Sequence, residues 1–542
     1  MMLEDKISII PNPVNMILGE GNFNINEQTV VQADPKLTEV VKYFTDLLLP
    51  ATGFNLEIAE LKSDLTKSNT IYLILNEKLS DLTEEGYSLK INQERIVLSA
   101  PKPIGIFYGI QTIRQLLPIE IEKKSETSGI EWIIPSVDIK DYPRFSWRGY
   151  MLDEGRHFLG KEAVKHILNL MALFKMNVFH WHLTEDQGWR IEIKRYPLLT
   201  EVGSKREKTQ IGGFLSKKMD ATPHEGYYTP EEIQEIISYA DKLFIKIIPE
   251  IDMPGHSKAA LAAYPEFSCT GGPFEVSTTF GIKKDVYCVG KEETFEFLQN
   301  ILDEIIQLFP SDIIHIGGDE VPKKRWEKCQ ECQDRMKSEH LETEKELQKY
   351  FTKRIKKFLS AHNRRLMGWN QILDDKSTND IIGHYWIFGK KIITNHLRKG
   401  GNVVFSKFGS AYLDYSYKFT SLGKAYQYEP VPKKLQKEYH NNVLGIEATM
   451  WTEWVRNIRE LDWQTFPRLI AFAETGWIPK EQRSFKSFQT RLEYLHTRLD
   501  MLGVYHAQKQ EYQPNFFKRL IGFFTIFKEP KRSSLSYKRN FK

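Results

Sequence analysis

Between residues 144 and 505, short apolar runs alternate with longer amphipathic stretches, and polar or aromatic residues collect just after each apolar run. These two observations predict an α/β protein whose larger part is a (β/α)8 TIM barrel. Parallel strands need helical returns, and a barrel of this kind carries its chemistry at the C-terminal strand ends. A third observation is a different strand pattern ahead of the polar stretches at 122–129 and 141–143, which predicts a smaller α+β domain before the barrel. The expected organisation is an accessory domain at 1–143, a catalytic barrel at 144–505 and an unassigned basic and aromatic tail at 506–542.

In the first domain, residues 71–75, 87–91 and 95–100 read as strands, the last two separated by the polar turn Asn92-Gln93-Glu94. Residues 37–49 and 104–117 carry helical periodicity, and Pro118 ends the second. This region holds no catalytic constellation, so it reads as a supporting domain. From Trp147 onward the expected barrel strands are 149–152, 177–182, 245–251, 313–317, 365–369, 381–386, 403–405 and 444–450. Helical patterns at 161–174, 230–244, 292–309, 343–360 and 390–397 lie between them.

The 542 residues are too many for one ordinary domain, and 41% hydrophobic with 27% charged residues is a globular composition. No apolar run approaches the ~20 residues of a membrane helix. The net charge of +4 comes from the tail: residues 515–542 carry eight Lys or Arg against one Glu, so the body is close to neutral and nucleic acid is not an expected partner. The Phe-rich, basic tail has the composition of an amphipathic surface helix, although a docked or frayed terminus fits better. The first residues lack a basic segment followed by an apolar one, so no signal peptide is expected, which at face value means a cytoplasmic chain. Of the four cysteines, Cys269 and Cys288 flank a loop and could be bridged. Cys329-Gln-Glu-Cys332 is a lone CxxC, too weak to assign to redox or metal chemistry without a second ligand pair.

The stretch with most chemical content is Ile-Ile-His-Ile-Gly-Gly-Asp-Glu at 313–320. An apolar strand runs into two glycines that let the backbone turn, then presents Asp319 and Glu320. Carboxylates at the mouth of an apolar core are costly unless paired or used, which makes them candidates for acid/base work. A first helical turn, where acids are also favoured, is the bland alternative. The other strand ends tip the balance: Arg156 and His157; His182, Glu185 and Asp186; Asp252 and His256; Trp369; Trp386; Tyr412 and Asp414; Trp451 and Glu453. Acids, one Arg and several Trp, without a Ser-His-Asp set, phosphate cradle or metal triad, suit hydrolysis of glycosidic bonds. Acid and nucleophile ordinarily come from different strands about 5–9 Å apart, so neighbouring acids must divide the work differently.

The stretches RGYMLDEGRHF (148–158), HWHLTEDQGWR (180–190), EIDMPGH (250–256), HIGGDE (315–320) and ATMWTEW (448–454) resemble the family 20 glycoside hydrolases, the β-N-acetylhexosaminidases. The resemblance covers about residues 144–500, and the preceding α+β unit is similar to that family's usual N-terminal domain. It implies an exo-acting, retaining enzyme that removes terminal non-reducing N-acetylglucosamine or N-acetylgalactosamine, with no cofactor and no metal. The substrate's own 2-acetamido oxygen would attack C1 to form an oxazolinium ion. Glu320 would then be general acid and base, Asp319 would orient the acetamido group, and Tyr412 would hold its oxygen. Arg156, Asp414 and Glu453 would bind ring hydroxyls, Trp369, Trp386 and Trp451 would wall the pocket, and His256 and Asp186 would set the protonation of Glu320. A disaccharide-releasing enzyme of the same family and a non-catalytic sugar-binding barrel are the alternatives. The resemblance also favours a periplasmic or secreted location if the chain is trimmed.

Overall fold

The computed structural model describes residues 7–79, 81–515 and 517. The tail expectation beyond residue 517 therefore lies outside the described residues. The first part of the chain forms a seven-stranded sheet from β1 (Asn15–Ile25), β2 (Val30–Ala33), β3 (Glu57–Glu60), β4 (Thr70–Leu75), β5 (Tyr87–Ile91), β6 (Arg95–Ala100) and β7 (Trp132–Asp141), in the order β1-β7-β5-β6-β4-β2-β3. Helices α1 (Thr38–Thr52) and α2 (Pro103–Leu116) accompany it. The three strands expected here are present. β1, β2, β3 and β7 are additional: β1 is a largely exposed strand, and β3 is a short one at the sheet's edge.

The barrel closes as expected from eight parallel strands: β8 (Trp147–Asp153), β9 (Val178–His182), β10 (Lys246–Glu250), β11 (Ile313–His315), β12 (Arg365–Trp369), β13 (Ile382–Tyr385), β14 (Val403–Phe405) and β15 (Val443–Met450), with β15 returning to β8. The helical returns include α3 (Lys161–Leu173), α4 (Pro230–Lys242), α5 (Glu292–Leu308), α6 (Gln330–Ser338), α7 (Glu344–Ala361), α8 (Lys390–Arg398), α9 (Ile458–Thr465), α10 (Arg468–Trp477) and α11 (Phe485–Met501). α4 shows how locally such a helix is specified: Thr229 and Glu232 form a reciprocal capping box, with Pro230 at the first turn. Two returns depart from the regular pattern: residues 406–442 hold only the five-residue helix Leu422–Tyr426 and a 3-10 segment, Lys437–Asn442. Residues 370–381 hold only a single 3-10 turn, Asn370–Ile372, because twelve residues are too few to run a helix back along the barrel.

Inside the barrel the period of two along each strand stacks side chains in layers. The lowest layer is an apolar plug of Trp147, Val178, Ile248, Ile313, Met367, Ile382 and Val404. Two residues further along, the inward positions become polar: His180, Glu250, His315, His384, Ser406 and Glu447, all fully buried. The corresponding residue on β8 is Gly149. A Cβ there would lie 2.5 Å from Glu447 Oε2 and 2.6 Å from Trp147 Nε1, so the glycine makes room for their hydrogen bond.

The sheet domain docks on the underside of the barrel through a buried carboxylate, Asp141, at the end of β7. Asp141 accepts from Lys175 Nζ at 2.9 Å, from Trp477 Nε1 at 2.8 Å, from the Tyr87 hydroxyl at 2.7 Å and from the Val14 amide at 3.0 Å. Removing one partner of such a pair leaves an uncompensated buried charge. Asp141→Ala should therefore lower stability by roughly 3–5 kcal/mol in urea or guanidinium unfolding. A loss below about 1 kcal/mol would show that Lys175 finds another partner or sheds its proton at little cost.

Candidate active site

Each strand end delivers its residues to one mouth. β8 ends at Asp153, whose Oδ2 accepts from the Thr452 amide at 3.0 Å and hydroxyl at 3.1 Å, joining the first and last strands. The turn that follows carries Arg156, whose guanidinium contacts Asp153 Oδ2 at 3.4 Å and Glu185 Oε2 at 2.8 Å and lies 4.7 Å from the Trp451 ring centroid. Beyond β9, Thr184–Glu185 pairs with Gly188–Trp189 in a small hairpin that turns Glu185 inward. Beyond β10, His256 sits in the left-handed region at φ 48°.

β11 ends earlier than the sequence suggests, at His315, because Gly317 and Gly318 adopt φ values of 64° and 87°. At Gly317 a Cβ would lie 2.0 Å from Asp252 Oδ1, so only glycine lets the strand leave the barrel here. Glu320 follows at φ 50°. Its Oε2 lies 3.8 Å from His256 Nε2, and its side chain is one-third exposed at the mouth. Asp319 points inward: its Oδ1 is buried and has no hydrogen-bond partner among the described residues.

The aromatic residues form one continuous wall. Trp369 and Trp451 lie 5.7 Å apart between ring centroids, Trp451 and Tyr412 6.4 Å, and Tyr412 and Trp386 6.1 Å with nearly parallel planes. Trp369 is fixed by its Nε1–H donating to Glu250 Oε1 at 2.9 Å. Trp386 Nε1 is buried without a hydrogen-bond partner among the described residues. The loop after β14 carries Tyr412 and Asp414. It is held by backbone bonds between Leu413 and Thr449 and between Thr449 and Ala411. The buried guanidinium of Arg468, on α10, donates to the carbonyls of Leu413, Tyr415 and Thr420.

The electrostatics of this mouth follow from burial and neighbouring charge. Burial raises Asp319 to about 7, against the opposing pull of His256 and with a further push from Glu320. Glu320 is also raised by burial, opposed by His256 and Arg156. His256 is held protonated: burial disfavours its charge, but Glu185 and Asp186 outweigh that. Tyr412 is pushed up by burial and by Asp319 and Asp414, so its hydroxyl remains a donor.

The structure thus gathers Asp319, Glu320, His256, Arg156, Tyr412 and the three tryptophans, and Glu453 acts electrostatically on both Arg156 and Glu320. Asp414 is fully buried beside Tyr412. Asp186 lies behind His256, 3.5 Å from its Nδ1, and Glu185 lies 2.6 Å from the same atom. Glu185 is the residue that sequence reading left without a role. The motif contains both acids, but which one faces inward is decided by the hairpin and not by strand alternation. Asp252, named at its strand end, likewise was given no role, and Arg468 was missed, since their importance comes from contacts with distant loops.

Carboxylates beneath an aromatic wall, at the C-terminal mouth of a (β/α)8 barrel, define the glycoside hydrolase class. Residues 145–480 match the glycosyl hydrolase family 20 catalytic domain, and residues 6–142 match that family's domain 2; the chain belongs to glycosyl hydrolase family 20. A β-hexosaminidase of Porphyromonas gingivalis is 38% identical over 530 residues, covering 95% of this chain and 66% of that protein. The chain thus spans about two thirds of that relative's length. A β-hexosaminidase of Akkermansia muciniphila is 33% identical, covering 80% of this chain and 87% of that protein. Among solved structures, the Streptomyces plicatus N-acetyl-β-hexosaminidase in complex with Thio-NAglucal superposes with a TM-score of 0.81 at 30% identity, covering 93% and 96% of the two chains. The Vibrio harveyi exo-β-N-acetylglucosaminidase in complex with N-acetylglucosamine gives 0.80 at 30% identity, covering 93% and 78%.

Because the His256 cation favours the ionised form of both acids, removing it raises both. In His256→Gln, the acid and alkaline limbs of the pH profile for aryl N-acetyl-β-glucosaminide cleavage should both move to higher pH. Limbs that stay in place would show that His256 is not charged beside the pair.

Proposed function

We propose that the chain is an exo-acting, retaining β-N-acetylhexosaminidase that works by substrate-assisted catalysis, with an accessory domain to about residue 143 and a catalytic barrel from about 144 to 505. The observation that carries this reading is the placement of Asp319 and Glu320 as immediate neighbours with different environments. Glu320 is partly exposed at the mouth, and Asp319 is turned inward with a buried oxygen lacking a hydrogen-bond partner among the described residues. Neighbouring residues on one turn cannot flank a glycosidic bond as acid and nucleophile, so the nucleophile comes from the substrate. Of the neighbouring carboxylates, Glu185 is tied to Arg156, and Asp252, beneath the turn, is pushed well above the usual carboxylate range by burial with Asp319 beside it, so neither is well suited to attack.

In this mechanism Glu320, whose carboxyl burial pushes up, donates its proton to the glycosidic oxygen as the bond to C1 breaks. The acetamido oxygen attacks C1 from the other face, giving an oxazolinium ion. The unpaired Asp319 oxygen accepts the acetamido N–H and offsets the developing positive charge, while the Tyr412 hydroxyl donates to the acetamido oxygen. Water then enters, Glu320 takes its proton, and the oxygen adds to C1 with retention. Arg156 holds ring hydroxyls, with Asp414 and Glu453 completing the polar set. Trp369, Trp386 and Trp451 enclose the N-acetyl methyl and the ring face. The substrate is a carbohydrate with a terminal N-acetylhexosamine, and among the described residues no helix is long and apolar enough to cross a membrane.

The test compares aryl N-acetyl-β-glucosaminide with aryl β-glucoside in wild type, Glu320→Gln and Asp319→Asn. Cleavage confined to the N-acetyl substrate should fall by about a hundredfold or more in both variants. Equal cleavage of the plain glucoside, or full activity in Asp319→Asn, would remove the acetamido group as nucleophile.

A further inference from the structure

The loops that follow β10 and β11 carry His256 and the Asp319-Glu320 pair, and they also carry the chain's four cysteines. Cys269 and Cys288 lie between β10 and α5, and Cys329 and Cys332 lie at the start of α6. The fold brings the two pairs together. Cys288 Sγ lies 3.6 Å from Cys329 Sγ and 3.6 Å from Cys332 Sγ, Cys269 Sγ lies 3.8 Å from Cys332 Sγ, and all four sulfurs are within 4.8 Å of one another. The CxxC that is too weak a signal by itself has acquired the second ligand pair.

These distances discriminate between chemistries. A disulfide holds its sulfurs at about 2.05 Å. Four sulfurs around one zinc ion, each at about 2.3 Å, form a tetrahedron with edges of about 3.8 Å. The cluster has the second geometry, and none of the four cysteines is in a disulfide. An iron–sulfur cluster would need its ligands spread around several metal ions, which this compact set does not allow. The surroundings are built for close approach: a Cβ on Gly290 would come within 2.2 Å of the Glu331 carbonyl carbon and 2.3 Å of the Cys332 amide nitrogen. Glu331 Oε2 is a polar side-chain neighbour, 3.7 Å from Cys288 Sγ and 3.8 Å from Lys291 Nζ. The histidine and carboxylate groups of the barrel interior are a different case, since they are already paired with one another by short hydrogen bonds.

We propose that Cys269, Cys288, Cys329 and Cys332 bind one Zn2+ in a closed tetrahedral site that clips the β10 and β11 loops together. Four S–H bonds lose their protons to solvent and four Zn–S bonds form, with no oxidation or reduction. With all four positions filled by protein sulfur there is no place for water or substrate, so the ion is structural. Its effect reaches the active site through two short links. The Tyr287 amide donates to the Pro254 carbonyl at 3.1 Å, two residues before His256, and Trp326 Nε1 donates to the Tyr287 carbonyl at 2.9 Å.

The experiment uses the full chain, purified without chelators, and reads metal content and thiol state separately from activity. The expected result is about one zinc per chain, with four thiols protected from a disulfide reagent until a strong chelator and denaturant are added. Cobalt exchanged into the site should show thiolate-to-metal charge-transfer absorption and tetrahedral d–d bands, both lost in Cys329→Ser and Cys332→Ser. Removing zinc from wild type should lower the melting temperature, and adding it back should restore it. A metal-free chain that takes up neither zinc nor cobalt while its four thiols are reduced would overturn the proposal, as would peptide mapping that finds two disulfides in the freshly purified protein.

Discussion

The Glu250 carboxylate is the point on which the barrel and its active site both depend. It lies in the polar layer above the apolar plug. Oε2 is 2.6 Å from His182 Nδ1 and 3.0 Å from His180 Nε2, and Oε1 is 2.7 Å from His315 Nδ1 and 2.9 Å from Trp369 Nε1. A carboxylate so far from water is tolerable only because His182 from β9 and Trp369 from β12 hydrogen-bond to it and two more histidines, from β9 and β11, lie against it. Burial would raise its pKa, but the three histidines outweigh burial and keep it ionised. The charge is shared outward: His180 also meets Glu447 Oε1 at 2.8 Å, and the two carboxylates raise it to about 9 despite burial. One acid therefore ties together strands that an apolar layer would leave free to choose among many packings.

The same network continues to the mouth. His182 bonds Glu250 through Nδ1 and approaches Glu185 Oε2 at 3.3 Å through Nε2; Glu185 holds Arg156 and His256, and His256 faces Glu320. Alternating sign along this chain matters more than any single contact. Each cation is flanked by acids and each acid by cations, so the groups hold fixed charge states, while burial raises both Asp319 and Glu320 above the usual carboxylate range. Histidines without enough acid around them behave oppositely. His315 and His384 are depressed by burial; other histidines add to the effect on both, and Glu250 opposes it.

Much of this was legible in the chain, and the gaps have physical causes. β5 and β6 fall where apolar residues alternating with polar ones place them, and β12 and β14 where short apolar runs do, because a strand buried on one face writes a period of two and one buried on both faces writes nearly its whole length in apolar residues. β1 and β3 were invisible, since exposed and edge strands take their pairing partner from elsewhere and leave little period-two signal. For the site, residue type and position after a strand were enough to gather Arg156, His256, Asp319, Glu320, Tyr412 and the tryptophans. Direction was not legible: Glu185 and Asp186 are adjacent, and only the hairpin decides which meets His256. Long-range closure was not legible either, as with Arg468 beneath the Tyr412 loop and with the two cysteine pairs, separated by 41 residues between Cys288 and Cys329.

What remains is how the two acid-bearing loops keep a geometry their own backbones disfavour. His256 and Glu320 both hold positive φ without being glycine, at an expected cost of about 1–3 kcal/mol each, and such conformations persist only where the surroundings over-determine them. The constraints come from three directions. From below, Asp252 Oδ1 accepts the Gly318 amide at 3.3 Å and fills the space a side chain on Gly317 would need. From one side, the Gln371 carboxamide oxygen accepts the Glu320 amide at 3.3 Å, and Gln348 Nε2 donates to the Gly318 carbonyl at 2.8 Å. From the other side, the Tyr287, Trp326 and Asp285–Arg325 contacts join the β10 loop to the β11 loop next to the cysteine cluster. The strained turn aims Glu320 at the mouth and Asp319 inward, a division that two neighbouring residues on a regular strand would reach only by pointing to opposite faces of the sheet. Strain in the turn and rigidity in the loops are therefore one design: the first separates the roles of the acids, and the second keeps them separated.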